Sequence, residues 1–151
     1  MLKKLKNRKE EGFTIIEVLI VLAIAGLIML IVFLAVPALQ RNSRNTQRTN
    51  DVSRVLGSAQ EVLNNNNGSL TALITPALTT AVGTMSYYSS GNVTVAAGNT
   101  NAAITDPDTV VLVKGGKCNA SNAVVPGTTR SLAVVFAVEG AGGAQSRCSN
   151  S

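Results

Sequence analysis

The 151-residue chain contains no histidine. That absence removes histidine-based acid–base catalysis and the imidazole ligands of most zinc and haem sites. Two cysteines are too few for a four-cysteine metal site. Aromatic residues make up 3% of the chain and charged residues 14%, against 46% hydrophobic. No nucleophile–base constellation, metal cluster or phosphate-cradling loop is visible, so neither catalysis, a metal nor a cofactor is expected. The length suits one ordinary domain and not comfortably two. A mean hydropathy of +0.27 is high for a soluble domain. Its cause is local, because the apolar residues concentrate near the N-terminus.

The net charge of +5 is also uneven. Lys3, Lys4, Lys6, Arg8 and Lys9 stand against Glu10 and Glu11 in residues 1–12. With that segment set aside, the case for a nucleic-acid-binding surface is weak. Basic residues beside a membrane-spanning stretch stay in the cytoplasm, which orients the chain N-in and C-out. From Val18 to Leu39 there is no charged residue, and Gly26 and Pro37 are the only interruptions. As a helix, 13–36 would reach roughly 36 Å, enough for a bilayer core about 30 Å thick. A core helix of a small soluble domain would not be apolar on every face over this length. A secretory signal peptide has a shorter apolar region, and Pro37 makes a poor cleavage site.

Glu17 breaks the pattern. Read alone, it either snorkels to the interface and caps the helix N-terminus, or needs a positive partner within the membrane or an assembly.

The stretch Gly12-Phe13-Thr14-Ile15-Ile16-Glu17-Val18-Leu19-Ile20, behind a short basic leader, resembles the prepilin leader and N-terminal motif of the type IV pilin family. The resemblance is firm over about residues 3–36 and looser along the helix beyond. It implies that a membrane-embedded aspartyl prepilin peptidase cuts between Gly12 and Phe13 and N-methylates Phe13. It also assigns Glu17 to the family's conserved acid. A small Gly12 lets an extended backbone enter a protease cleft. In a filament lacking water, the Glu17 carboxylate would be neutralised by an N-terminal ammonium of a neighbouring subunit. An unpaired buried charge is costly, so subunits out of register would be rejected.

Beyond the membrane the helix is expected to run to about Leu63. Val52, Val55, Leu56, Ala59, Val62 and Leu63 mark one apolar face. Pro37 predicts a kink. Arg41, Arg44 and Arg48 fall roughly on one face, with Asp51 within reach of Arg48 and Arg54. They read as a solvated or paired face; a DNA or lipid-headgroup stripe is the sharper alternative, though no aromatics are interleaved for base stacking. Asn64–Gly68 ends the helix. Residues 69–108 read as loop, with a helical turn near 71–74 and strands near 85–88 and 93–96. Tyr87 and Tyr88 suggest core packing with hydroxyls at the edge. Asp106 and Asp108, flanking Pro107, read as a solvated turn rather than a calcium site. Thr109–Val113 and Ser131–Val138 are apolar on both alternating faces, as central strands packed on the helix would be.

The expected fold is α+β. A long N-terminal helix, its first half membrane-spanning and its second half amphipathic, packs against a small antiparallel β-sheet head. The expected divisions are a removed leader at 1–12, a membrane and filament-core helix at 13–37, an amphipathic helix at 38–63 and the head at 64–151. In a head outside the membrane, Cys118 and Cys148 are expected to form a structural disulfide; many pilins close their C-terminal region in this way. The segment from Lys117 to Cys148 is expected to be the exposed, variable region.

The resemblance implies a type IV pilus subunit that forms a homo-oligomeric helical filament. Its partners would be the prepilin peptidase, a cytoplasmic assembly ATPase, a polytopic platform protein and the membrane. The precursor would sit in the inner membrane, and the filament would reach the cell surface for adhesion, twitching motility or DNA uptake. A host surface or DNA is the external contact this implies. Within the family, a type II secretion pseudopilin or a minor pilin is the alternative. Outside it, the alternative is a singly anchored surface-binding protein that never polymerises.

Overall fold

A threonine followed three residues later by a glutamate precedes the apolar run, and the first helix starts there. α1 spans Ile15–Asn65 and continues through Pro37. The computed structural model describes residues 12–97 and 104–151. The leader cations Lys3, Lys4, Lys6, Arg8 and Lys9 lie outside the described residues. The chain divides into two compact units, one ending at Leu39 and the other beginning at Gln40.

In the first unit, every described residue is exposed, including the large apolar side chains from Phe13 to Leu39. No residue of its most apolar stretch is buried, and α1 is long and apolar enough to cross a membrane.

In the second unit, the residues from Gln40 to Asn65 include many Asn, Ser and Thr, which are weak helix formers. Their hydroxyls bond back to the helix: Thr46, Thr49 and Ser53 donate to the carbonyls of Asn42, Asn45 and Thr49 at 2.9, 2.9 and 3.0 Å. Tertiary packing supplies what propensity does not. Val52, Val55, Leu56, Ala59 and Leu63 are buried on the expected face. The helix closes at the asparagine run. The Gly68 N–H donates to the Leu63 carbonyl at 2.7 Å, with Asn67 at φ 53° and Gly68 at φ 78°. That is the left-handed helix stop that Asn and Gly tolerate.

Six strands follow: β1 Val93–Ala97, β2 Val110–Lys114, β3 Gly116–Cys118, β4 Val124–Pro126, β5 Leu132–Gly140 and β6 Gly143–Asn150. The main sheet has the order β1-β2-β5-β6, and β3 and β4 form a separate two-stranded ribbon. The sheet is mostly antiparallel. The exception is β1, which runs parallel to β2, with Val93 opposite Val110. On one face, Val93, Val110, Leu112, Leu132, Val134 and Phe136 pack in one core with the buried α1 residues. On the other, Val113, Ala133, Val135 and Ala137 pack with Ile104 and Val124. β5 is therefore buried on both sides, as its uninterrupted apolar sequence requires.

Three expectations change. Residues 85–88 are not a strand; the cause is a carboxylate described below. A second helix, α2 Thr75–Val82, occupies part of the expected loop, begins around Pro76 and buries Leu78. The segment from Lys117 to Cys148 is not an exposed loop. It contains β5, the most buried strand, and most of β6. A two-residue turn, Ala141-Gly142, joins those strands, with Gly140 opposite Gly143 at φ 115°.

Candidate functional site

The first site lies at the start of α1. Gly12 is exposed, and a side chain there would meet open space. Phe13 is 88% exposed. Thr14 precedes the first helical residue, and Glu17 sits three positions on. The Thr14 hydroxyl accepts the Glu17 N–H at 3.3 Å. In return Glu17 Oε2 accepts the Thr14 N–H at 2.9 Å and the Thr14 hydroxyl at 2.7 Å. This reciprocal pair is a capping box, which satisfies helix-end amides that otherwise lack partners. Within one chain, then, Glu17 acts as a helix cap. Both donors go to the same oxygen, and among the described residues Oε1 accepts none. Thr14 was missed by sequence reasoning, although Thr-x-x-Glu ahead of an apolar run was the available signal.

The second site belongs wholly to the unit beginning at Gln40. Glu139, near the end of β5, receives two arginines from α1. Arg44 donates through Nε at 2.9 Å and through an Nη nitrogen, and Arg48 donates at 2.8 Å. The bidentate Arg44 fork and the Arg48 guanidinium hold the Glu139 carboxyl down at about 2, below its ordinary 4.5. Asn45 completes the join. Its amide donates to the Glu139 carbonyl at 2.9 Å and accepts the Glu139 N–H at 2.8 Å. Arg48 is fully buried. It also donates to the Tyr87 hydroxyl and stacks 4.2 Å from the centre of the Tyr87 ring.

Asp51, also fully buried, does not pair with Arg48 or Arg54 as its spacing suggested. It accepts three successive backbone N–H groups, from Ser86, Tyr87 and Tyr88, at 2.9, 2.6 and 3.2 Å. Successive amides of a strand point to opposite sides, so this clamp excludes the strand expected there. Arg54 instead donates to the Thr84 carbonyl at 2.7 Å. The arginine face is therefore no free stripe: Arg44 and Arg48 turn to Glu139. Tyr87 keeps its hydroxyl at the edge, donating to Asp108 at 2.9 Å. Tyr88 is buried, which pushes its hydroxyl's pKa upward. Asp106 accepts the Asp108 N–H and the Thr109 hydroxyl at 3.0 and 2.7 Å. Both acids of that turn thus serve as hydrogen-bond acceptors.

Cys118 of β3 and Cys148 of β6 are joined by a disulfide with Cα atoms 5.6 Å apart. It packs against the second core.

Comparison with known families matches residues 7–33 to the prokaryotic N-terminal methylation motif. The chain carries the type IV prepilin leader signature. The match ends at Phe33, inside α1. No curated protein and no solved structure matches the chain. The signature supports a type IV pilin-like or pseudopilin-type protein, a structural family. It implies processing by a prepilin peptidase and assembly in a membrane machinery. Signature and apolar helix together fit a membrane-anchored precursor.

Proposed function

We infer that this chain is a structural subunit of a type IV pilus. One observation carries the reading: the prepilin signature runs into the first part of α1, which is apolar and exposed on every face as far as Leu39. So large an apolar surface requires lipid or protein around it.

The precursor would sit N-in in the cytoplasmic membrane, spanning it with the helix over 13–37. Cleavage between Gly12 and Phe13 removes the basic leader and leaves an amine, N-methylated, on Phe13. Exposed Gly12 suits entry into a protease cleft. The helix then exchanges lipid for the same segment of sister subunits. Lipid tails are as apolar as leucine, so this exchange gains little and has to be powered. An assembly ATPase and a platform protein would supply that work. The new ammonium of a neighbour would meet Glu17, whose Oε1 is open while Oε2 holds the Thr14 cap. The amphipathic helix over 38–63 and the head over 64–151, stapled by Cys118 and Cys148, would lie outside and present the surface used in adhesion, motility or DNA uptake.

Intact mass of protein sheared from producing cells tests the processing. A chain beginning at methylated Phe13 is expected; shed protein beginning at Met1 would refute the reading. Electron microscopy should show fibres labelled along their length, and Glu17→Ala should abolish them.

A further inference from the structure

An open groove in the head is flanked by α1 and β6. Arg147 stands opposite Phe136 and Ser149 opposite Val134 in the β5–β6 register. Paired residues share a face of the sheet, so both lie on the side where α1 packs. That helix covers Phe136 and Val134 but not β6. The result is an open groove lined by Asn45 and Thr49 of α1, Phe136 and Val138 of β5, and Arg147 and Ser149 of β6. Asn45 and Thr49 already spend hydrogen bonds within the head. Arg147 is exposed, and among the described residues its guanidinium has no ion pair or hydrogen bond. A planar guanidinium over an apolar floor suits a carboxylate.

The head's acids are almost all engaged. Asp51 holds three amides, Asp106 and Asp108 accept turn and hydroxyl donors, and Glu139 holds two arginines. Glu61 is the exception: it is exposed on α1 and has no partner among the described residues. It cannot reach Arg147 of its own head. Thr49 borders the groove, and Glu61 lies twelve residues further along the helix, on the order of 18 Å away. Glu61 stands about 120° round the helix from Thr49, so a second copy packed beside the first and offset along α1 by about that distance would bring the two together.

We propose that in the assembled filament Glu61 of one subunit seats in the α1–β6 groove of a neighbour and pairs with its Arg147. This rests on the filament reading above. It adds a head-to-head contact with a defined axial offset, separate from the contact at Glu17. The same groove would then be closed to other carboxylates along the filament wall.

The test is a charge exchange in the full chain, produced in filament-forming cells. Glu61→Arg and Arg147→Glu should each lower the sheared filament yield at least about fivefold, the effect of roughly 1 kcal/mol per contact. The double variant should recover the native yield. Protease resistance and the Cys118–Cys148 bond of the membrane precursor should stay native in all three, because both side chains are exposed. Native yields from the single variants would overturn the pairing, and so would a double variant that stays low. Absence of filaments from the unaltered chain would instead refute the filament reading, and the pairing with it.

Discussion

The buried carboxylate of Asp51 accepts the backbone N–H of Tyr87 at 2.6 Å, and the amides on either side of Tyr87 go to the same group. One side chain on α1 thereby fixes the path of residues 86–88. Asp51→Ala leaves three amides without their acceptor, and hydrogen bonds to a charged group contribute about 1.5–3 kcal/mol each. The variant should lose about 3 kcal/mol or more of head stability, and Asp51→Asn somewhat less. Denaturant unfolding of the detergent-solubilised chain would measure it, and native-like unfolding of Asp51→Ala would contradict the clamp.

Glu139 gives the head an acid limit. Its folded carboxyl titrates at about 2, against an ordinary 4.5, because Arg44 and Arg48 favour the charged form. A folded pKa below the unfolded one means stability that is full above the unfolded value and lost as pH falls through the folded one. The loss should therefore fall between about pH 4.5 and pH 2. Glu139→Gln should lower stability at neutral pH and flatten the curve across that window. A variant that keeps the native slope there would show that other groups set the acid limit.

The two arginines on Glu139 should not be equivalent. The Arg44 side chain is 42% exposed and that of Arg48 is fully buried. Arg44→Ala breaks a solvent-screened pair and should cost about 1 kcal/mol or less. Arg48→Ala also empties the space beside Tyr87 and removes the hydrogen bonds that Arg48 donates to Asn45 Oδ1, the Tyr87 hydroxyl and Glu139. Loss of one member of a buried pair typically costs about 3–5 kcal/mol. Thermal unfolding of the two variants side by side would check the ranking, and equal losses would contradict it.

The long helix, its buried face and the strands β2 and β5 were legible because periodicity and uninterrupted apolar runs report burial directly. Val52, Val55, Leu56, Ala59 and Leu63 show the helix face in sequence alone. β6 was not legible. Gly143–Asn150 is polar and exposed, and it is a strand because β5 offers it a ladder. Residues 85–88 misled for the opposite reason: a β-prone dipeptide, Tyr87-Tyr88, was overridden by Asp51, 35 positions or more away. At the processing site Gly12, Phe13 and Glu17 could be read, while the tie from Thr14 to Glu17 went unread. The partners of Arg48 could not be read either, because Glu139 lies 91 positions along the chain.

The half-buried disulfide should contribute strongly to head stability. It closes a chain separation of 30 residues in a small head. The chain-entropy account gives about 3–4 kcal/mol for such a loop. Reduction, or the double variant Cys118→Ser with Cys148→Ser, should lower the unfolding midpoint accordingly. The ends of β3 and β6 should then become the first sites cut by protease. An unchanged midpoint under reductant would show that the two cores suffice alone.

Thr14 and Glu17 separate two roles that one carboxylate could hold. If Glu17 served only as a cap, Thr14→Ala and Glu17→Ala would damage the protein alike, since each removes one side of the capping box. A lost cap is worth about 1 kcal/mol of local helix stability. If Glu17 also receives a neighbour's ammonium, Thr14→Ala removes the hydroxyl donor but keeps the backbone N–H on Oε2 and leaves Oε1 open, whereas Glu17→Ala removes the acceptor. Filament yield should then fall modestly for Thr14→Ala and disappear for Glu17→Ala, with both precursors present in the membrane at native levels. Equal yields from the two variants would reduce Glu17 to a helix cap and remove the electrostatic account of subunit register.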